Sequence, residues 1–323
     1  MPSLVVIGNP TARGFDRAVD AVLREVAVSG ADARVVPTTL AEPGGPQARQ
    51  ALSSGADAVV AIGGDGTVRE VATVLAHTGT PLGVMPAGTA NLFARNLGLP
   101  LRDRAAAARI AVAGDAAGHG TGSSAAIDLG RVSLVRSVGG GASGAALESQ
   151  PEPERAFLVV AGVGNDALAV EAASLRDKRR LGWAAYIAIG ARRLASPSFS
   201  VRGSFDEGEG ETTDAWSVLV HNAARIPAGF EVLPRTRLDD GLLHIAAVSP
   251  RRLAHWGRIA AAGAGIARAQ GVLQHRTARR VTLAAVDGLL PVQLDGDAAG
   301  RVSRLDARID RGALRVRVPR SFS

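Results

Sequence analysis

Hydrophobic and polar positions follow a regular order through the first third of the chain. Short apolar runs such as LVVIG (4–8) and DAVVAIGG (57–64) are typical of buried strands, whereas FDRAVDAVLREVAVSG (15–30) has the apolar spacing of an amphipathic helix closed by glycine. The pattern predicts strands at 4–8, 33–38, 57–64 and 81–86 and helices at 15–30, 46–54, 68–77 and 89–98. Because strands and helices alternate over short connections, we predict a doubly wound parallel α/β sheet.

The pattern then changes to short strands. Residues 114–126 and 137–153 are rich in Gly, Ala, Ser and Pro, which indicates a domain boundary and an exposed hairpin loop. Further strands are predicted at 155–164, 199–205, 215–223, 241–249, 279–286, 290–297 and 313–319. With helices only near 182–195 and 251–270, this spacing predicts an antiparallel β-sandwich.

The length of 323 residues favours two domains over one. We predict an α/β domain at 1–125 and a β-rich domain at 126–307. The last strand, at about 308–323, is a candidate to return to the first domain.

Composition narrows the functions open to this chain. The absence of cysteine excludes disulfides and thiolate nucleophiles, and Lys178, the only lysine, stands in neither a P-loop nor a protein-kinase pattern. The N-terminus lacks the features of a signal peptide, and no apolar run approaches the roughly 18 residues of a membrane span. We therefore predict a cytoplasmic protein, with peripheral attachment to the inner membrane face left open.

Two glycine-rich loops carry the first candidate chemistry. GGDGT (63–67) stands between a predicted strand and a predicted helix, and PAGTAN (86–91) repeats this arrangement. Glycine lets a ligand approach the backbone, and the first N–H groups of a helix bind anions, with Thr67 as a candidate cap. Since ligands bind outside the carboxyl ends of parallel strands, the pair predicts a phosphate site, although GGDGT alone could be only a tight turn.

Six motifs together resemble one family. In chain order they are NPTAR (9–13), GGDGTVREV (63–71), PAGTANLFARNLGLP (86–100), GVGNDA (162–167), LDDGLL (238–243) and VQLDGD (292–297). They resemble the signature blocks of the diacylglycerol kinase catalytic-domain family, soluble bacterial lipid kinases related to sphingosine kinases and, distantly, to NAD kinases. The resemblance implies an α/β nucleotide lobe at 1–125, a β-sandwich lobe for lipid binding and catalysis at 126–307, and ATP-dependent phosphorylation of a lipid hydroxyl.

The resemblance also implies the nucleotide contacts. They would be Asn9, Pro10, Thr11, Ala12, Arg13, Thr39, Gly63, Gly64, Asp65, Gly66, Thr67, Glu70, Gly88, Thr89 and Asn91. Thr38 is an alternative to Thr39, because the TTLAEPGG segment allows either alignment. A carboxylate beside a polyphosphate is repelled unless a cation intervenes, so Asp65 is expected to act through Mg²⁺, with a turn or helix-capping role as the alternative.

Three further aspartates are candidates for catalysis by the same resemblance. Asp297 would be the general base that accepts the proton of the lipid hydroxyl, with Asp295 as a substitute and a simple hairpin turn as the alternative for DGD. Many relatives have glutamate at the position of Asp297, which is one methylene longer. Asp166 matches an aspartate of the metal and phosphate network, although Asn165 stands where the family often has an aromatic residue.

The segment LDDGLL resembles one that binds a structural Mg²⁺ in several bacterial members. Asp240 and the carbonyl of Leu242 would be its ligands here. His244 follows where relatives commonly have another acid, so a surface β-turn is an equal alternative.

The implied partner is a lipid, for which diacylglycerol is the first candidate. Arginine clusters at 177–183, 250–258 and 276–280, two of them containing tryptophan, predict transient contact with an anionic membrane surface, while arginine bias in a chain of net charge +7 explains them as well. Only 3% of residues are aromatic, which argues against nucleic acid. A homodimer stays open.

Two other functions stay open beside the lipid kinase. An NAD-kinase-like or other small-molecule kinase would have similar nucleotide loops, and a lipid- or nucleotide-binding regulator would bind without turnover. A long apolar cleft in the second domain would favour the lipid kinase, because an acyl chain needs one.

Overall fold

The computed structural model describes residues 1–113, 122–136, 151–172, 196–224, 236–250, 252, 255–256 and 272–322. The predicted helix near 182–195 and the arginine cluster at 177–183 lie outside these residues. So do most of the predicted helix near 251–270 and most of the cluster at 250–258.

The chain divides into two compact units. Unit 1 comprises Met1–Asp128 and Arg311–Ser323, and unit 2 comprises Leu129–Asp310. The chain passes from one unit to the other within strand β5 (Gly122–Val135) and within strand β16 (Arg304–Pro319).

Unit 1 is built on a parallel sheet. Its strands are β1 (Ser3–Gly8), β2 (Asp32–Pro37), β3 (Ala58–Gly63) and β4 (Leu82–Pro86), in the spatial order β2-β1-β3-β4. Val316 of β16 continues the sheet in parallel beside Leu82. The helices are α1 (Phe15–Ser29), α2 (Gly45–Ser53), α3 (Asp65–Leu75), α4 (Leu92–Asn96) and α5 (Arg104–Val112).

The sequence of β3 explains its central place in unit 1. All six residues of AVVAIG are buried, as expected for a parallel strand covered on both faces. On one face Val60 and Ile62 belong to a core cluster with Val22 and Val26 of α1. The GGDGT loop thus leaves from the carboxyl end of a fully buried strand.

The predicted helix at 89–98 is shorter than expected. Asn91 has a left-handed backbone with φ 47°, so α4 begins only at Leu92. It ends at Asn96, two residues before Gly98, which has φ 71°. The reason is local: PAGTAN is a loop closed by its own asparagine and cannot start a helix at Thr89.

Unit 2 contains two antiparallel layers. The first has the order β12-β11-β10-β7-β14-β15, comprising β12 (Leu273–Ala278), β11 (Leu243–Val248), β10 (Ser217–His221), β7 (Val160–Gly164), β14 (Leu290–Leu294) and β15 (Asp297–Val302). In the second, the start of β16 pairs with β13 (Arg280–Ala285), followed by β8 (Phe199–Phe205) and β9 (Glu211–Ala215). Strand β6 (Arg155–Phe157) pairs with β5, and helix α6 covers Asn165–Ala172.

Alternation along the strands of unit 2 separates a core face from a polar face. Val220 of β10, Ile245 of β11 and Leu283 of β13 belong to one hydrophobic cluster shared by both layers. Because neighbouring side chains of a strand point to opposite faces, Ser217 and His221 lie on the other side of the six-stranded layer. The predicted fold class, a doubly wound parallel α/β sheet plus a β-sandwich, is confirmed.

No helix within the described part of the chain is both long enough and apolar enough to cross a membrane.

Candidate functional site

The two glycine-rich loops lie at the carboxyl ends of neighbouring strands of unit 1. The N–H of Ala87 donates to the carbonyl of Gly63 at 2.9 Å, which joins the ends of β4 and β3. A Cβ added to Gly88 would overlap the Cα of Gly64, so only glycine permits this approach. The two loops therefore form one contiguous surface made of backbone.

Helix α3 starts from this surface without a capping side chain. Its N-cap residue is Gly64, in extended conformation, and no side chain accepts a hydrogen bond there. The expectation that Thr67 caps the helix is wrong, because Thr67 lies inside the first turn, buried against Gly63. The start of this 11-residue helix is consistent with an anion site, since its first N–H groups lack intrahelical acceptors.

Side chains of the two loops hold them in place. Oδ1 of Asp65 accepts the N–H of Phe93 at 3.0 Å, so this carboxylate caps the start of α4, the alternative left open by the sequence. Asn91 closes its own loop, because its Oδ1 accepts the N–H of Gly88 and its Nδ2 donates to the carbonyl of Gly88, both at 2.8 Å. Thr89 is exposed between them.

The NPTAR loop lies beside GGDGT. The N–H of Asn9 donates to the carbonyl of Ile62 at 3.0 Å, and Oδ1 of Asn9 accepts the N–H of Thr11 at 2.9 Å and its hydroxyl at 2.8 Å. Thr11 is thus presented on a turn braced by Asn9. The other predicted contacts in this loop are Pro10, Ala12 and Arg13, of which Pro10 and Arg13 are exposed.

The remaining predicted contacts of unit 1 follow β2 or lie on α3. Thr38 is buried, whereas Thr39 is exposed and its Oγ1 accepts the N–H of Glu42 at 3.0 Å. Exposure therefore favours Thr39 over Thr38 as a ligand contact. Glu70 packs against Gly45 at the start of α2, where its negative charge interacts favourably with the helix dipole.

In unit 2, Asp166 lies on the polar face of the six-stranded layer, in the first turn of α6. Its Oδ1 accepts the hydroxyl of Ser217 at 2.7 Å, and its Oδ2 accepts Nε2 of Gln293 at 3.2 Å. Burial raises the pKa of Asp166, although these two donors act in the opposite direction. A Cβ on Gly162 would overlap both Asp166 and Gln293, so the pair rests directly on the backbone of β7.

The side-chain amide nitrogen of Asn165, beside Asp166, donates to backbone carbonyls. Its Nδ2 donates to the carbonyls of Pro197 at 3.0 Å and Trp216 at 3.1 Å. A buried amide thus occupies the position where the sequence left the packing in doubt.

The LDGD motif forms a two-residue hairpin between β14 and β15. Leu294 pairs with Asp297, and the intervening Asp295 and Gly296 have φ values of 50° and 85°, as a type I′ turn requires. The hairpin reading of DGD therefore describes its backbone. Asp297 stands exposed at the first position of β15, which leaves its candidacy as a base open.

Asp295 cannot substitute for Asp297. Its buried carboxylate accepts the N–H groups of Leu158 and Val159 at 2.8 Å and of Val160 at 3.0 Å. It belongs to the turn and not to the strand that begins at Asp297. Its role is to bind the start of β7.

The predicted ligands of a structural Mg²⁺ make a different arrangement. Oδ1 of Asp240 accepts the N–H of Leu242 at 3.0 Å, and Oδ2 accepts the N–H of Arg237 at 3.1 Å and Nε2 of His244 at 2.9 Å. Burial alone would raise the pKa of Asp240, but the donors His244 and Arg237 outweigh it and lower the pKa. With its oxygens engaged by N–H donors, Asp240 does not fit a Mg²⁺ ion here, and the hydrogen-bonded turn is the better description.

Three histidines come together next to that turn. His221 and His244 are opposite each other on β10 and β11, and the ring of His244 stacks on that of His275 with centroids 5.5 Å apart. Burial, followed by the charges of His244 and His275, lowers the pKa of His221 to about 3. Among described residues, no group of three or more acidic or histidine side chains is arranged to hold a metal ion.

Ser217, Gln293 and the histidine cluster were not found from the sequence. A signal exists for Gln293, because it is a lone amide in the apolar run LPVQL directly before LDGD. No local signal exists for Ser217, since its partner Asp166 is 51 residues away. The clustering of the three histidines becomes visible only when the strand pairing is known.

Family models match both parts of the chain. The diacylglycerol kinase catalytic domain matches residues 3–123, and the YegS C-terminal NAD kinase beta sandwich-like domain matches residues 159–318. A Pseudomonas aeruginosa protein named "Probable lipid kinase YegS-like" is 30% identical over 276 residues, 84% of this chain and 79% of the relative. A Mycobacterium tuberculosis protein named "Diacylglycerol kinase" is 32% identical over 200 residues, 60% of this chain and 56% of the relative.

Solved structures share the fold. A crystal structure of a diacylglycerol kinase from Bacillus anthracis has a TM-score of 0.66 at 18% identity, covering 99% of this chain and 98% of that one. Yeast NADH kinase in complex with NADH has a TM-score of 0.52 at 9% identity, covering 99% and 84%. At these identities the likeness concerns the fold alone.

Proposed function

This chain belongs to the diacylglycerol kinase catalytic-domain family of lipid kinases, and from that premise we propose that it transfers the γ-phosphoryl group of ATP to the hydroxyl of diacylglycerol. The observation that carries the proposal is the backbone contact between Gly64 and Gly88 at the start of α3. Two loops that meet at glycines, beside a helix start with no capping side chain, suit the close approach of a polyphosphate.

Unit 1 would hold the nucleotide. Asn9, Thr11 and Thr89 would contact it around the glycine surface, and Asp65 would hold the Mg²⁺ that accompanies ATP. A carboxylate beside the loops is the hard oxygen ligand that Mg²⁺ prefers, and Phe93 fixes its orientation. The ion would supply neutralisation of the phosphate charge.

Unit 2 would supply the groups that act on the acceptor. In the proposed step the carboxylate of Asp297 takes the hydroxyl proton, the lipid oxygen bonds to the γ-phosphorus, and the bond from that phosphorus to ADP breaks. The exposed position of Asp297 at the tip of the β14–β15 hairpin supports this role. Asp166 would belong to the metal and phosphate network, and its half-buried carboxylate with a raised pKa is typical of functional sites.

A small apolar cavity of about 40 Å³ lies between the two layers of unit 2. Its lining includes Val201, Phe205, Val218, Ile245, Ala247 and Leu283. Glu211 of edge strand β9 and Arg276 of edge strand β12, both exposed, also line it and bond to each other at 2.6 Å. The cavity is far smaller than the roughly 300 Å³ of ligand pockets. An acyl chain would therefore enter only if the edge strands β9 and β12 moved apart.

We further propose transient contact with an anionic membrane through the cluster at 276–280. Arg280, the first residue of β13, and Arg279, directly before it, are exposed, and guanidinium groups suit lipid phosphates. Co-sedimentation with vesicles of phosphatidylcholine, with and without phosphatidylglycerol, tests this contact. Binding that requires phosphatidylglycerol and weakens in the Arg279→Gln, Arg280→Gln double variant is expected, and equal binding to both vesicles contradicts the proposal.

The activity is tested by transfer of labelled γ-phosphate from ATP and Mg²⁺. Wild type and Asp297→Asn are compared on diacylglycerol, sphingosine, monoacylglycerol and NAD. We expect phosphatidic acid from wild type and a loss of about 100-fold or more in the variant, because a general base contributes about that much. Glu154→Gln, in an exposed ion pair with Arg308, is the matched control.

Each other outcome has a defined meaning. Product from NAD alone would assign the chain to the small-molecule kinases. ATP binding with no product from any acceptor would support a non-catalytic regulator. Full activity of Asp297→Asn would remove Asp297 as the base while keeping the lipid kinase.

A further inference from the structure

Gln293 is a buried glutamine whose two polar atoms bind different parts of unit 2. Its Nε2 donates to Oδ2 of Asp166 at 3.2 Å, and its Oε1 accepts the N–H of Gly296 at 2.7 Å. Only 1% of the residue is exposed. The partners determine which end is which, because the backbone N–H of Gly296 can only donate and an ionised Asp166 can only accept.

The two partners of Gln293 belong to the two acidic parts of the candidate site. Asp166 is on α6, and Gly296 is the turn residue directly before Asp297. A carboxamide is planar, so its oxygen and nitrogen cannot move independently. One rigid group thus connects the half-buried carboxylate of Asp166 to the hairpin tip that presents the exposed carboxylate of Asp297.

Resting on the proposed function, we propose that Gln293 is a positioning residue that fixes Asp297 relative to Asp166 for phosphoryl transfer. It touches no reacting atom itself. Ser217 assists from the other side, since its hydroxyl donates to Oδ1 of Asp166 and accepts the N–H of the same residue at 2.9 Å. Ser217 orients Asp166 alone, whereas Gln293 orients Asp166 and the hairpin together.

The lack of space around this pair supports the assignment. A Cβ on Gly162 would overlap Oδ2 of Asp166 and approach Nε2 of Gln293 to 2.5 Å. The carboxylate and the amide therefore both lie directly against the backbone of β7. Such contacts matter for phosphoryl transfer, because a misplacement of about 1 Å costs about 100-fold in rate.

Two substitutions separate the two bonds. Gln293→Met keeps the volume and removes both bonds, while Gln293→Glu keeps an acceptor for Gly296 and replaces the donor to Asp166 by a second carboxylate oxygen. Thr282→Val is the matched control: it removes a hydroxyl that donates to Asp306 at 2.7 Å on the other layer of unit 2.

The first readout does not depend on activity. The pH titration of the Asp166 carboxyl carbon and the hydrogen exchange of the Gly296 amide are followed by NMR. We expect the pKa of Asp166 to rise in both Gln293 variants and the Gly296 amide to exchange faster in Gln293→Met than in Gln293→Glu. Unchanged titration and exchange in a folded Gln293→Met would overturn the proposal, and should that variant not fold, the titration of Gln293→Glu decides.

The second readout is kinetic. We expect kcat to fall about 10- to 100-fold in Gln293→Met with KM for ATP unchanged, and the acidic limb of the kcat/KM profile to move to higher pH in Gln293→Glu. Thr282→Val should match wild type. Altered NMR parameters with wild-type kcat would overturn the positioning role. A wild type that phosphorylates no lipid would instead refute the proposed function, while the NMR readout still decides the coupling.

Discussion

The glycine loops of unit 1 and the acidic residues of unit 2 form their candidate sites from different parts of the chain. In unit 1 the surface is backbone, and Gly64 and Gly88 act by having no side chain. In unit 2 the candidate groups are carboxylates, and one of them, Asp166, accepts hydrogen bonds from Ser217 and Gln293 on other strands. The glycine site of unit 1 can be recognised from short sequence motifs, whereas the carboxylate site of unit 2 depends on which strands pair.

Within unit 2, two aspartates of one motif show the same contrast. Asp295 is buried and accepts three backbone N–H groups, whereas Asp297 is exposed. Residue type and spacing cannot distinguish the two, because both are aspartates of the same short motif, LDGD. Substitution can, since one aspartate should matter for stability and the other for chemistry.

The largest expected effect on stability is that of Asp295→Asn. Asparagine tolerates the left-handed backbone of the turn, but its amide cannot accept all three N–H groups, and buried unpaired donors cost about 1–3 kcal/mol each. We expect the free energy of unfolding to fall by about 3 kcal/mol, measured by urea denaturation. The matched Asp297→Asn should change it by less than about 0.5 kcal/mol. Equal effects would contradict the division of roles.

The next effect concerns the backbone site. Gly88→Val places a side chain against the Cα of Gly64, where backbone would have to move. We expect kcat/KM for ATP to fall about 100-fold, equivalent to about 2.7 kcal/mol, because the phosphate surface is displaced. Gly79→Ala is the control, since a Cβ there meets open space and only the backbone, at φ 76°, is strained. It should lower stability by about 1 kcal/mol without changing KM for ATP.

The sequence predicted the parallel sheet and its loops because local periodicity and glycine spacing determine them. Apolar runs in the sequence predicted the strands β1, β3 and β4. The glycine-rich motifs GGDGT and PAGTAN predicted the pair of loops at the strand ends. The capping by Thr67 and the catalytic substitution by Asp295 were wrong, because both depend on where a neighbouring turn places the side chain. The contacts of Ser217 and His221 could not be predicted from the sequence, because only the order of strands in unit 2 brings their neighbours together.

A smaller effect is expected from the histidine cluster. Neither ring nitrogen of buried His221 has a hydrogen-bond partner among the described residues, and its pKa is lowered to about 3 from an ordinary value of 6.5. The unfolded chain therefore binds a proton below pH 6.5 that the folded chain does not, and stability falls as the pH falls. Between pH 8 and pH 5 this amounts to about 2 kcal/mol.

His221→Leu tests this contribution. The variant should lose about 2 kcal/mol less stability than wild type when urea unfolding is measured at pH 8 and then at pH 5. At pH 8 it should be at least as stable, because unpaired buried nitrogens are removed. His77→Asn, an exposed histidine replaced by a residue that tolerates its left-handed backbone, should follow wild type. An unchanged pH dependence in His221→Leu would contradict the lowered pKa.

The smallest effect concerns the edge that closes the apolar cavity of unit 2. Arg276 and Glu211 are 49% and 63% exposed in their side chains, so Glu211→Gln should change the free energy of unfolding by less than about 1 kcal/mol. If an acyl chain parts this edge, the variant should raise kcat/KM about twofold for long-chain diacylglycerol and leave a short-chain analogue unaffected. Glu171→Gln breaks a similarly exposed pair with Arg301 away from the cavity and is the control. An equal change for both chain lengths, or in the control, would show that the lipid enters elsewhere and that the pair is ordinary surface charge.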